Sequence, residues 1–520
     1  MSVELYPSFF NDVMGPVMLA GSSSHLVAPQ RLGLLCHHLT RGETLKKIEV
    51  IMDTEGSFAG TFGLMSEDIG MCSGAIGLPV DSPIRNNCLE MAKERGIEVV
   101  FTKAPMKETG HLNGMKFILT GETDTEYTLV GDSIGGGMVQ TKKIMGFDYI
   151  YKGDTNLIVI IKRDGSPIMI DGVKSKIDGM MQCDVATNEE GATAFFMTAT
   201  DTPDLEAIRS TVPDCEVYWL ECVLPTPTHP ERKAQLFDNS TDFLKLCEEK
   251  PMHEVALDYQ MAATGMTREE IIAKVEELRG HMVYLVERMD NRDFDLDYKH
   301  AYGFSTGNFD KVAAQAHIPQ PMFDAVRFYF SVLSMAPETL HVGFPHGAGG
   351  GVVMSCLRAA QLHYGFSDEK VVEGLLVAAA YGSIGYTRTD PTGETIGCAG
   401  EMGLSGAFSA AALTYILGGT PRQVDSAASQ AMQLSVGWPC DPIMGGEGEP
   451  CTSRGMAVIT TPFMYSQLAL SNMLTLIPFH EALDVAAKVG ASLGDDMLCT
   501  GRGGCAACPS ACAVKVDLGL

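Results

Sequence analysis

From Ile271 onward an apolar residue recurs every three or four positions, at Ile271, Val275, Leu278, Met282, Leu285 and Met289, with mostly polar and charged residues between them. That spacing draws one apolar stripe along a helix, and Thr267 followed by Glu270 supplies a capping box at its start. The stripe predicts a core face, not a site. Farther along, "VVEGLLVAAAYGSIGY" and "GAFSAAALTYILGG" are apolar all round and rich in Ala and Gly. Helices of that kind are predicted to be buried on every side, and they assign residues 236–520 to an all-helical domain.

Upstream the pattern becomes that of strands. "NLIVIIK", "MMQCDVAT", "ATAFFMTAT" and "EVYWLECVL" read as strands, with a segment from Ser166 to Asp178 after the first and the short helix "DLEAIRSTV" before the last. The order βαββαβ over residues 151–223 predicts a small ferredoxin-like α/β domain. Residues 1–150 mix Gly-rich turns with strands such as "KKIEVIM" and helices such as "NNCLEMAKERG", an α+β pattern. The prolines of "LPTPTHPERK" exclude helix and central strand and place a linker over residues 224–235. A chain of 520 residues also exceeds what one core holds, about 250 to 300 residues. The expected fold class is therefore multidomain.

Composition narrows the partners. The chain is 45% apolar and 20% charged, which is globular, and its 38 basic against 65 acidic residues give a net charge of −27. That charge repels phosphate backbones and anionic lipid surfaces, so neither nucleic acid nor membrane is an expected partner. "MSVELYPSFFNDVMGP" has no basic segment followed by an apolar one, and no run of eighteen apolar residues occurs. A cytoplasmic protein is expected. In that reducing compartment fifteen cysteines, an odd number, point to metal binding or catalysis rather than disulfides.

Three cysteines of the helical region stand beside Gly or Pro: Cys398 in "IGCAGEMG", Cys440 in "GWPCDPIMGG" and Cys451 in "GEPCTSRG". Thiolates on loops with nearby backbone amides suit an iron-sulfur cluster. Their separations match no local metal signature, and three buried small hydrophobes remain an equal reading. "SSSH", with Ser22, Ser23 and Ser24 before His25, offers hydroxyls and amides to a carboxylate, and equally fits an ordinary turn or helix cap.

The stretch "IGCAGEMGLSGAFSAAAL…LGGTPRQVDSAASQAMQLSVGWPCDPIMGGEGEPCTSRGMA" resembles the catalytic domain of the iron-sulfur L-serine dehydratases, or L-serine ammonia-lyases. The resemblance extends to "GPVMLAGSSSHLVAPQRLG", "GSFAGT", "HLNGMKF", "SIGGG" and "TGRGG", and so spans nearly the whole chain. It implies a β-type domain over 1–150, an ACT-like regulatory domain over 151–223 and a catalytic α domain. It implies that Cys398, Cys440 and Cys451 bind a 4Fe-4S cluster with one iron open to substrate, and that pyridoxal phosphate is not needed. The implied reaction takes L-serine, or a related β-substituted amino acid, to a 2-oxo acid and ammonia in an oxygen-sensitive enzyme, and a homodimer is expected. His25 and His111 become candidates for proton transfer, Asn113 for orienting substrate, and Ser22, Ser23 and Ser24 for holding its carboxylate.

The sequence departs from the family pattern at several polar positions. Met65 stands where a histidine is common, although Asp68 remains; Leu26 replaces a threonine; and "FPHGAGGGV" puts His346 and Gly347 in place of Thr and Asn. His346 either restores an imidazole for substrate binding or caps the following helix. The altered pocket keeps two other functions open, an L-cysteine desulfidase and a non-catalytic cluster-bearing amino-acid sensor. The tail "CTGRGGCAACPSAC" carries Cys499, Cys505, Cys508 and Cys512, which fit either a fourth ligand to the open iron or a second metal site.

Overall fold

In a computed structural model the described residues are 7–19, 21–63, 65–229, 232–288, 295–296, 304–305, 317–333, 340–443 and 450–517. The chain divides into two compact units, residues 24–232 and residues 1–23 with 233–520.

The first unit is mixed α/β. A six-stranded sheet runs in the order β2-β1-β3-β4-β5-β6, from β1 (Leu45–Asp53), β2 (Glu98–Ala104), β3 (Gly114–Gly121), β4 (Glu126–Ser133), β5 (Val139–Ile144) and β6 (Phe147–Asp148). Only β1 and β2 pair in parallel, and their crossover carries helices α2 (Ser57–Thr61), α3 (Glu67–Ala75) and α4 (Cys88–Glu94). Helix α1 (Ala28–Leu39), which precedes the sheet, buries Leu32, Leu35 and Leu39 against Met115, Phe117 and Leu129.

A second sheet has the order β10-β7-β9-β8, built from β7 (Asn156–Lys162), β8 (Met180–Thr187), β9 (Thr193–Ala199) and β10 (Glu216–Leu220), all antiparallel. The run "NLIVIIK" becomes its central strand β7. Leu157, Val159 and Ile161 face the core shared with α1, while Ile158 and Ile160 face Val173 of α5 (Ile170–Lys174) and Ile208 of α6 (Leu205–Thr211). Burial on both faces explains why this strand reads as a continuous apolar run instead of alternating.

Small residues set the close crossing of α1 and α3. A side chain carbon at Gly74 would lie 2.0 Å from the Gln30 carbonyl oxygen, and one at Gly70 would lie 2.3 Å from that of Leu26. The turn that carries His25 is therefore held by backbone contact with α3. Gly74→Ala is expected to lower the temperature of the unit's first unfolding transition in a calorimetric scan. Overpacking of this kind costs roughly 1–3 kcal/mol.

The second unit is helical. The expected helix is present as α7 (Arg268–Glu287), with the Thr267–Glu270 capping box formed and Ile271, Val275, Leu278, Met282 and Leu285 buried; Met289 lies outside the described residues. Around it stand α8 (His346–Tyr364), α9 (Asp368–Arg388), α10 (Met402–Ile416), α11 (Pro421–Ser435), α12 (Cys451–Leu470) and α13 (Phe479–Gly490). The two all-round apolar segments form α9 and α10, and α10 is buried along nearly its whole length. Phe9, Phe10 and Val13 fill the same core, and the Phe9 ring stacks on Tyr259 at 5.5 Å. Among the described residues no single helix is long and apolar enough to cross a membrane.

Candidate functional site

In the helical unit, Cys398 stands on a tight turn just before α10, Cys440 in the loop after α11, and Cys451 is the first residue of α12. Gly397 holds the first turn: its φ is +68°, and a side chain carbon there would lie 2.2 Å from the Trp438 carbonyl oxygen. The Cys398 amide donates to that same carbonyl at 2.9 Å, which ties the first cysteine loop to the second. The second loop is tied to the tail: the Cys440 amide donates to Met497 O at 2.9 Å, and the Cys499 amide donates to Cys440 O at 2.6 Å.

The thiols interact. Burial holds Cys398 far above the ordinary thiol range, with Cys440 and Glu401 adding to the effect. A hydrogen bond with Cys499 and then burial do the same to Cys440, and burial with the neighbouring Cys398 and Cys440 does it to Cys451. In Cys499 the Cys440 contact acts downward, but burial and the carboxylates of Glu394 and Glu401 push the thiol up to about 12. Thiols held protonated by burial are released when a metal replaces the proton. Among the described residues no three cysteine sulfurs close to within 4.8 Å, the spacing that marks a shared single ion. Three soft sulfur donors that act on one another suit zinc, iron or an iron-sulfur cluster.

Arg454, one turn into α12, donates to Pro439 O at 2.8 Å and to Asp441 Oδ1 at 2.6 Å, and so clamps the residues on either side of Cys440. Asp441 is 3% exposed, and its other oxygen accepts from the Cys505 amide at 2.8 Å. Such supporting contacts orient ligands. Where these thiols hold a metal core, Asp441→Ala is expected to release it roughly 10- to 100-fold more readily in a chelator challenge, the usual cost of losing an outer-shell partner.

The tail does not form one ligand set. Cys499 joins the upstream thiols, Cys505 is held beside Asp441, and Cys508 and Cys512 are exposed, the latter two one turn apart at the start of α14 (Pro509–Asp517). Backbone pairing commits Cys499 to Cys440.

His346 opens α8, but the N-cap is Pro345 and no side chain caps the helix. Its Nε2 instead meets the Pro391 carbonyl in a short contact, and its Nδ1 lies 3.9 Å from Glu401 Oε1. The capping reading is replaced by a link to the segment leading into Cys398. A side chain carbon at Gly347 would lie 2.5 Å from Gly21 O and 3.4 Å from the Ser23 amide, so the Ser22 and Ser23 segment rests on the first turn of α8.

In the α/β unit His25 is 1% exposed, with Nδ1 at 3.0 Å from Ser24 Oγ and Nε2 at 2.9 Å from Ser57 Oγ. Of the three serines, Ser24 meets the His25 ring. Ser57 begins α2, and its amide donates to Leu112 O at 2.8 Å, which brings the "HLN" segment to the same place. His111 Nδ1 accepts the Asn113 amide at 3.0 Å, so neutral His111 carries its proton on Nε2. Sequence reasoning missed Ser57 and Glu67. Glu67 accepts from Thr61 Oγ1 at 2.6 Å and from the amides of Gly63 and Met65 at 3.0 and 3.2 Å, while burial pushes its carboxyl up to about 7.

The family described as "Serine dehydratase alpha chain" matches residues 243–506. The L-serine dehydratase alpha chain of Peptoniphilus asaccharolyticus is 26% identical over 286 residues, 54% of this chain and 98% of that protein. The L-serine dehydratase of Mycobacterium bovis is 28% identical over 300 residues, 54% of this chain and 62% of that protein. The beta chain from Peptoniphilus asaccharolyticus is 27% identical over 149 residues, 29% of this chain and 66% of that protein.

Proposed function

Because this chain belongs to the serine dehydratase alpha chain family, we propose that it is a lyase that converts L-serine, or a related β-substituted amino acid, to a 2-oxo acid and ammonia with the aid of a 4Fe-4S cluster. The observation that carries this reading is the convergence of Cys398, Cys440 and Cys451, thiols that act on one another from two loops and a helix start within the matched region. These three would hold the cluster, and Cys499 stands ready as a further thiol. When bound, the cluster supplies a Lewis-acid iron that makes a substrate hydroxyl a feasible leaving group.

The chain's own residues do the rest. His25 lies between two hydroxyls, each able to donate or accept, and so can gain or lose a proton without losing a partner. Loss of water from serine leaves an enamine that becomes an imine, and its hydrolysis gives pyruvate and ammonia. The strand order of residues 151–223 supports an ACT-like regulatory module as part of the same reading.

The test is anaerobic purification with iron and sulfide counts, followed by assays for 2-oxo acid, ammonia and sulfide from a panel of β-hydroxy and β-thiol amino acids. About four irons per chain and pyruvate from serine are expected. A protein that takes up no iron on anaerobic reconstitution would sink the reading. Sulfide from cysteine with serine inert would move the activity to desulfuration.

A further inference from the structure

We propose that the cavity at the start of α11 binds a free amino acid with an aliphatic side chain, its ammonium on Asp425 and its carboxylate on Arg422. The site stands apart from the lyase reading, because none of its residues belongs to the cysteine loops.

The cavity, about 610 Å³, lies within the helical unit, between the helix Ser240–Leu246, the first turns of α11 and residues 475–478. The Cys440 loop follows the opposite end of α11. Leu244, Leu476 and Ile477 give the cavity its apolar lining. Leu476 is 97% exposed, yet its loop is stapled to α11. The Thr475 amide donates to Ser426 Oγ at 2.9 Å, Ser429 Oγ donates to Ile477 O at 2.7 Å, and Gln430 Nε2 donates to Met473 O at 3.1 Å. The helix therefore holds an apolar rim in water, where it gains by covering an apolar ligand.

The polar groups are placed beside that rim. Asp425 is 6% exposed. The Tyr381 hydroxyl donates to its Oδ1 and the Phe479 amide to its Oδ2, each at a long 3.4 Å, and the Ser240 hydroxyl is a third neighbour. Among the described residues no lysine, arginine or histidine pairs with this carboxylate. A buried carboxylate with only neutral donors is costly, and burial pushes its pKa up to about 6. A cation brought to it replaces weak bonds with a charge-assisted one. Arg422 and Glu248 also line the cavity, both exposed and without an ion pair among the described residues. Residues three apart on a helix are surface neighbours, with β-carbons about 5–6 Å apart, so one small head group can meet both Arg422 and Asp425.

These charges select the ligand. A simple carboxylate meets Asp425 and Glu248 as like charges, and a simple amine leaves Arg422 unused. A zwitterion answers both signs, and an aliphatic side chain covers the rim. Such a side chain carries no β-leaving group, so the occupant is a ligand and not a reactant.

The test uses the anaerobically reconstituted full chain and its Asp425→Asn and Arg422→Gln variants, with circular dichroism to show that each folds. Calorimetry measures L-leucine, isopentylamine, which lacks the carboxylate, and 4-methylpentanoate, which lacks the ammonium. The parent is expected to bind L-leucine more tightly than either analogue. Asp425→Asn keeps the side-chain shape and removes the charge. It is expected to weaken L-leucine and isopentylamine roughly 10- to 100-fold and to tighten 4-methylpentanoate. Arg422→Gln is expected to weaken L-leucine several-fold, the scale of an exposed charge, and to leave isopentylamine unchanged. If Asp425→Asn does not fold, the surface variant Arg422→Gln decides by that contrast. Formation of 2-oxo acid from serine without L-leucine stays at the parent level in both variants.

A parent protein that binds no L-leucine would overturn the site. So would L-leucine affinities within about twofold of the parent in both variants, or isopentylamine bound as tightly as L-leucine. L-leucine that competes with L-serine in turnover would overturn it too, by placing the ligand where the reaction occurs. A chain that makes no 2-oxo acid but shows the expected pattern of variants loses the lyase reading and keeps this site.

Discussion

Replacing Cys398, Cys440 or Cys451 by alanine is expected to take bound iron from about four per chain to near zero and to abolish formation of 2-oxo acid. Structural zinc sites give the scale: about 10–16 kcal/mol shared among four ligands, so one thiolate is worth on the order of 3–4 kcal/mol, or a few hundredfold or more in affinity. The cost here should be at least that large. The remaining thiols are held protonated by burial and by each other, so a weakened core must still displace their protons. The check is iron and acid-labile sulfide per chain after anaerobic reconstitution, with circular dichroism to show that each variant folds. Cys508→Ala and Cys512→Ala should retain their iron, since both thiols are exposed, one just before α14 and one within it. Cys499 is the tail thiol whose removal should change iron retention, because it contacts Cys440. An iron-replete, active Cys440→Ala protein would end the assignment.

The contrast within the tail shows what the sequence could convey. Cys499, Cys505, Cys508 and Cys512 look alike as letters, and spacing grouped them. The structure separates them through backbone hydrogen bonds to residues far upstream, which no local pattern encodes. Periodic features were legible: the α7 stripe, its capping box and the central strand β7 follow from burial patterns contained in single segments. Cys398, Cys440 and Cys451 were grouped from the Gly and Pro beside them and from the family resemblance; the structure adds that the three thiols act on one another. The contact of Ser57 with the His25 ring was not legible, because it joins two segments that no local pattern links. Nor did "YPSFFNDVMGP" say which core Phe9 and Phe10 would fill. His346 was legible as a polar departure, but its direction was not: Pro345 takes the cap position and leaves the imidazole to reach the Pro391 carbonyl.

His25→Ala is expected to lower kcat by about 10²- to 10⁴-fold, the usual range for a lost acid–base group, with little change in iron content. Three arrangements favour this residue. Met65 occupies the position where the family resemblance expects an imidazole, so that source of a base is gone. The buried carboxyl of Glu67 nearby has its two oxygens engaged by Thr61, Gly63 and Met65, so it secures the loop and is not placed to take a substrate proton. His111 spends Nδ1 on the Asn113 amide, so it can offer a proton but must break that bond to accept one at Nδ1. His25 alone among these has hydroxyls on both ring nitrogens, and either can reverse its hydrogen bond as the ring changes charge. Ser57→Ala should therefore shift the pH dependence of kcat and cost less than loss of the ring itself, since it removes one of the two reversible partners. The measurement is a pH profile of kcat for both variants, with KM and iron per chain alongside. A His25→Ala enzyme within about threefold of the parent, paired with a large loss in His111→Ala, would transfer the proton step to His111.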